Sequence, residues 1–114
     1  MEAERIKKRI LATHVTSLLR KRKMRSRLHL IISGCVQGVS FRAWVVRQAE
    51  NLKLVGWVKN RDDGSVEILA EGVKNNLLKF IVLCRRGSPA AVVDGIALHW
   101  GKTKIAFTGF EIKF

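Results

Sequence analysis

Acidic residues are scarce in this chain. Nine Asp and Glu stand against 22 Lys and Arg over 114 residues, a net charge of +13. Proline occurs once and cysteine twice. Two cysteines outside any CxxC pair exclude a disulfide scaffold, so Cys35 and Cys84 read as ordinary reduced thiols. No run approaches the ~20 apolar residues needed to cross a bilayer. With no recognisable secretory signal either, the chain reads as cytoplasmic. No repeat at a fixed period is visible.

Hydrophobic residues make up 47% of the chain, enough for a real core, and the length fits one domain. The positive charge is unevenly spread. Residues 1–27 hold ten Lys/Arg and two Glu, a net of +8, while residues 28–114 carry +5. Basic character is therefore mostly a property of the N-terminal segment. In residues 5–20, Ile6, Ile10, Leu11, Val15, Leu18 and Leu19 recur at near-helical spacing among basic residues. That predicts a short basic amphipathic helix, with Arg20 to Lys23 as a linker. Residues 1–23 read as an extension, either a membrane-surface helix, a nucleic-acid arm, a targeting peptide or a non-native segment. Glu2 and Glu4 argue against a transit peptide. Met24 lies just before the first strand, and residues 24–114 alone make a complete fold.

From Arg27 to Ser33 the pattern alternates, with Leu28, Leu30 and Ile32 on one face and His29, Ile31 and Ser33 on the other. A glycine loop follows. Ser40 is the expected N-cap of a helix that buries Phe41, Trp44, Val45, Ala49 and Leu52. A short strand over 56–59 carries Trp57, expected to pack, and leads to an Asp63-Gly64 hairpin turn. The returning strand, 65–71, turns Val66, Ile68 and Ala70 to one side. A second helix over 74–86 has the stripe Leu77, Phe80, Ile81 and Cys84, with Gly87 as its stop and Pro89 forbidding continuation. Strands at 91–100 and 108–114 complete the chain, the last with Phe110, Ile112 and Phe114 alternating. The order β-α-β-β-α-β-β is the ferredoxin-like split βαβ. It makes an α+β sandwich with a mostly antiparallel sheet, both helices on one face and an extra C-terminal strand. In that topology the first two strands run parallel with the third between them. The loop after strand one and the turn after strand two then open on the same edge, bringing Arg42 to Asn60.

Residues 34–42 read GCVQGVSFR. Backbone amides in such a turn can converge on an anion, and a helix start adds orphan N–H groups and partial positive charge. Gly34 and Gly38 let the loop fold inward, and Arg42 can turn its guanidinium back over it and grip phosphate in a fork. On spacing alone, the same loop is equally an ordinary strand-to-helix turn with a solvated arginine. Asn60 ends its strand on the same edge. Its neutral amide can orient a water, or can simply bond its own backbone in a turn.

The two tracts together resemble the acylphosphatase family. Gly34 to Arg42 is similar to that family's signature of Val-Gln-Gly-Val, one variable residue, then Phe-Arg. Gly56-Trp57-Val58, through Asn60, to Asp63-Gly64-Ser65-Val66-Glu67 is similar to its second signature. Weaker echoes occur at Gly87-Ser88-Pro89-Ala90 and Phe107-Thr108-Gly109-Phe110, so the resemblance spans about residues 26–114. Ser40 occupies the variable slot, and Ser88 stands where a second proline is common. The resemblance implies metal-independent, cofactor-free hydrolysis of carboxyl-phosphate anhydrides to a carboxylate and inorganic phosphate. Inorganic phosphate would then be both product and competing ligand. It implies that Cys35, Val36, Gln37, Gly38, Val39, Ser40 and Arg42 hold the phosphate, and that Arg42 and Asn60 are catalytic. Gln37 could add its side-chain amide, although its backbone N–H is the safer donor.

The competing reading is a non-catalytic ferredoxin-like module that uses its basic N-terminal arm for nucleic acid or anionic surfaces. RNA-binding sheets of this shape stack bases on clustered strand aromatics. Here Trp57 and Trp100 are isolated, so no specific nucleic acid is expected. Asp62 and Asp63 are adjacent acids and make a poor metal cage. His14, His29 and His99 are scattered over the tail and two strands, with no ligand or nucleophile spacing. A monomer is expected at this size.

Overall fold

Period-two burial persists through the first strand, and the sheet is built on it. The structure, a computed structural model, describes residues 2–104 and 106–114, without the side chains of 10–14, 18, 19, 21 and 22. In chain order the elements are α1 (Glu2–Lys23), β1 (Arg25–Cys35), α2 (Phe41–Asn51), β2 (Val55–Asn60), β3 (Val66–Val73), α3 (Lys74–Arg86), β4 (Val92–Gly101) and β5 (Phe110–Lys113). They form one sheet in the order β4-β1-β3-β2-β5. β3 is antiparallel to both β1 and β2, so those two run parallel, while β5 pairs parallel with β2. This is the expected ferredoxin-like α+β arrangement.

Leu28, Leu30 and Ile32 of β1 are fully buried, as are Val66, Ile68 and Ala70 of β3 and Val58 of β2. Facing them are Phe41, Val45 and Ala49 of α2 and Leu77, Phe80 and Cys84 of α3. Burying Phe41 and Phe80 completely contributes about 1.5–3 kcal/mol each. Trp44 and Leu52 are only half-buried, and Trp44 stacks on Phe41 with centroids 5.5 Å apart. Trp57 lies on the helix-free face, where Lys113 and Lys59 sit 4.8 and 5.5 Å from its ring. Cys35 and Cys84 are unpaired, and burial pushes the Cys84 thiol up.

One expectation is corrected here. Arg20–Lys23 is the last turn of α1 rather than a linker, and Met24 N–H still donates to the Arg20 carbonyl. The basic residues there are good helix formers and no Gly or Pro interrupts them. Ile6 and Val15 of the expected apolar stripe are exposed, and the side chains of Ile10, Leu11, His14, Leu18 and Leu19 lie outside the described residues. Among the described residues, no helix is long and apolar enough to cross a membrane.

At the sheet end holding the start of β1, a carboxylate is buried under the connection into β5. Arg27 pairs with Glu71 across β1 and β3, and its Nε donates to Glu71 Oε2 at 2.8 Å. The Lys104 backbone N–H donates to the same oxygen, and Phe107 covers the Arg27 guanidinium. Burial opposes the Glu71 charge. The donors from Lys104, Arg27 and Thr103 outweigh it and hold its pKa below the ordinary glutamate value. A depressed carboxylate stabilises fully above its unfolded pKa, about 4.3, and loses that contribution as pH falls through the folded value. Glu71→Gln is therefore expected to cost about 2 kcal/mol at neutral pH. Urea unfolding of parent and variant at pH 7 and pH 3.5 checks this. The gap should narrow at the lower pH, and an equal gap at both would refute the assignment.

Candidate active site

A register shift between Ser33 and Gly34 breaks the β1–β4 ladder just before the chain leaves the sheet. Gly34 has φ +130°, and a Cβ there would lie 2.1 Å from the Val92 carbonyl oxygen. The loop then runs Val36 to Ser40 into α2. Gly38 (φ +75°) and Ser40 (φ +59°) both take left-handed conformations. Ser40 is the N-cap by position, as expected, but its side chain makes no capping hydrogen bond. An effective cap needs extended backbone, and the left-handed turn withholds it. The first turn of α2 also has no acidic residue. Its leading amides thus meet neither a capping side chain nor a carboxylate, which suits an anion.

Arg42 is the second residue of this helix. Its guanidinium carbon lies 5.0 Å from the ring centroid of Phe114, beyond the end of β5. Asn60 is the last residue of β2, opposite Val66. Val36, Gly38, Ser40, Phe41, Arg42, Ala43, Asn60 and Ile112 together line a concavity of about 310 Å³. Arg42 and Asn60, 18 positions apart in sequence, thus share one hollow. The Asn60 Oδ1 atom is buried and has no hydrogen-bond partner among the described residues. A larger hollow lies along α1 among Glu2, Arg5 and Ile6, and another over the turn among Lys59, Asp62 and Glu67. Neither touches the glycine loop.

Other residues singled out in the loop are placed differently. Cys35 is exposed at the end of β1 and does not line the hollow, and Val39 packs against the core. The Gln37 side chain, a candidate phosphate donor by sequence, is committed elsewhere. Its Nε2 donates to the carbonyls of Arg61 and Ser65 at 2.7 and 2.9 Å. The hairpin that receives it has a three-residue turn, closed by Arg61 N–H donating to the Ser65 carbonyl, with Gly64 at φ +92°. Asp63 braces this turn through the Ser65 hydroxyl and backbone N–H. Those two bonds hold its carboxyl below the usual range. Nothing in the sequence marks Phe114 as a neighbour of Arg42. Strand alternation put it on the helix side, but no helix covers it there, and it is fully exposed.

His29 Nε2 lies 2.6 Å from Glu67 Oε2 on the helix-free face, away from the hollow. Burial raises the Glu67 pKa, but the His29 hydrogen bond and the charges of His29, Lys59 and Arg61 bring it below the ordinary value. Among the described residues, no three His, Cys, Asp or Glu side chains gather into a metal-ligating group.

A sequence model of the acylphosphatase family matches residues 28–112. The acylphosphatase of Bacillus subtilis (strain 168) is 52% identical over 85 residues, covering 75% of this chain and 93% of that protein. The acylphosphatase of Bacillus velezensis is 44% identical over 86 residues, covering 75% and 96%. A crystal structure of acylphosphatase from Bacillus subtilis matches with a TM-score of 0.76 at 43% identity, over 80% of this chain and all of that one. An acylphosphatase from Coxiella burnetii gives 0.74 at 32% identity, over 78% and 93%. The paired signatures, the split βαβ topology and these likenesses agree, and the chain belongs to the acylphosphatase family.

Proposed function

We propose that this acylphosphatase hydrolyses the carboxyl–phosphate bond of small acyl phosphates in the hollow between the glycine loop and Asn60, without a metal. The phosphoryl oxygens rest on backbone amides of the loop over residues 36–40 and on the Arg42 guanidinium. The Asn60 carboxamide oxygen accepts a hydrogen bond from a water and holds it in line with phosphorus. The water oxygen bonds to phosphorus as the bridging P–O bond breaks, and the electron pair leaves on a carboxylate. The water proton passes to phosphate or solvent. A carboxylate is a good leaving group, so positioning and charge stabilisation suffice. The same reading makes the enzyme a cytoplasmic monomer whose domain is residues 24–114. The start of the family match at residue 28 supports treating α1 as an appendage.

One observation carries the assignment of roles: Asn60, whose carboxamide oxygen is buried without a partner among the described residues, lines the same hollow as Arg42. An acceptor out of water without a donor is costly, and a bound water would satisfy it. Benzoyl phosphate hydrolysis tests the proposal. The rate should be unchanged by chelator and competitively inhibited by inorganic phosphate. Asn60→Ala should lower kcat on the order of 10²-fold, as loss of water alignment does. Its inhibition by phosphate should stay close to that of the parent. A variant with parental turnover would leave the water without an orienting group.

A further inference from the structure

Gln37 lies inside the glycine loop, yet its side chain reaches across to the other half of the site. The loop follows β1 and the turn follows β2, and β3 separates these strands in the sheet. Sheet pairing alone therefore does not fix the loop against the turn. The Gln37 amide does so with two hydrogen bonds, to Arg61 O and Ser65 O, across 24 and 28 positions of sequence. A carboxamide nitrogen has two donors, and here both meet carbonyls that flank the turn. These are the hydrogen bonds that join residues 36–42 to residues 60–65 among the described residues. Arg61 directly follows Asn60, so a clamp on its carbonyl is a clamp on the backbone that carries the water-orienting amide.

We infer that Gln37 is a positioning residue. Its side chain sets the distance and angle between the phosphate cradle and Asn60, and so the line from the attacking water to phosphorus. The inference rests on the roles proposed above for Arg42 and Asn60. It separates two duties within one loop: backbone amides hold the phosphate, while this side chain aligns the opposite wall. Misplacing a reacting group by about 1 Å can cost about 10²-fold in rate. Loss of the clamp should therefore appear in kcat and not in phosphate affinity.

The test compares Gln37→Met with Gln37→Lys in the full chain. Methionine keeps the reach and removes both donors, and the lysine ammonium restores donors at similar reach. Benzoyl phosphate kinetics are measured beside direct titration of inorganic phosphate, which counts intact sites. Gln37→Met should lower kcat at least about 10-fold per phosphate site while its phosphate affinity stays within about 2-fold of the parent, the signature of lost alignment. Gln37→Lys should recover most of that loss. A purely structural role predicts instead that kcat falls only in step with the number of phosphate sites. The inference is overturned by that result, by a Met variant with parental kcat, or by phosphate affinity falling in proportion to kcat. A parent that does not hydrolyse benzoyl phosphate would overturn the reading of Arg42 and Asn60 as well. An active parent beside an unimpaired Met variant overturns Gln37 alone.

Discussion

Arg42→Ala should lower kcat/KM for benzoyl phosphate by about 10²–10³-fold, or about 3–4 kcal/mol, comparable to removing one donor aimed at transition-state charge. Arg42 is the cationic side chain lining the hollow, and it stands at the positive end of α2 with no carboxylate in that turn. Its planar fork can meet two phosphoryl oxygens at once. Arg42→Lys keeps the charge and loses the fork, so it should recover only part of the activity. Phosphate inhibition should weaken in Arg42→Ala, unlike the response expected of Asn60→Ala. Stability should stay within about 0.5 kcal/mol of the parent, because the side chain is part-exposed and joins no buried network. Turnover at the parental rate by Arg42→Ala would remove the phosphate-binding role.

Gly34→Ala is expected to destabilise the fold on the order of 3 kcal/mol or more, from a strained backbone added to a steric clash. Its φ of +130° is open to glycine and strained for alanine, and the added Cβ would lie 2.1 Å from the Val92 carbonyl oxygen and 2.8 Å from Asp94 N. Both are backbone atoms of β4, so neither can turn aside as a flexible side chain would. Relief requires β4 to move from β1 at the bulge that launches the loop. Gly38→Ala offers the contrast. Nothing lies within 4 Å of the added Cβ, and only the left-handed backbone at φ +75° is penalised, by about 1–2 kcal/mol. Urea unfolding of the two variants compares them directly. Equal losses would mean that conformation and not the approach of β4 makes glycine necessary at position 34.

Local rules made the core and the topology readable. Alternation from Leu28 to Ile32, the α3 stripe of Leu77, Phe80 and Cys84, and the Gly87 stop all appear as the sequence suggests. The meeting of Arg42 and Asn60 followed from the order of elements, because a split βαβ leaves few ways to arrange them. What local rules missed is informative. Ser40 has the right chemistry for a cap, but tertiary demand on the loop gives it left-handed backbone. The Gln37 amide has too many possible partners in sequence to assign one, since its acceptors are carbonyls, which every residue carries. Phe114 kept the parity of its strand, but parity does not say where the helices stop covering the sheet. Glu71 reads as an ordinary polar position on an open face until the chain after β4 folds over it.

The central place of β3 has a consequence for how the molecule comes into being. A nascent chain that has emerged only as far as Asn60 already contains both halves of the hydrolytic centre and has no means of joining them. Catalysis begins only when the following strand has threaded between its two predecessors. Such long-range pairing is slow compared with helix formation. The bulge against β4 that launches the loop and the Ile112 wall of the hollow come later still, so the anion cradle itself is completed only with the last strands.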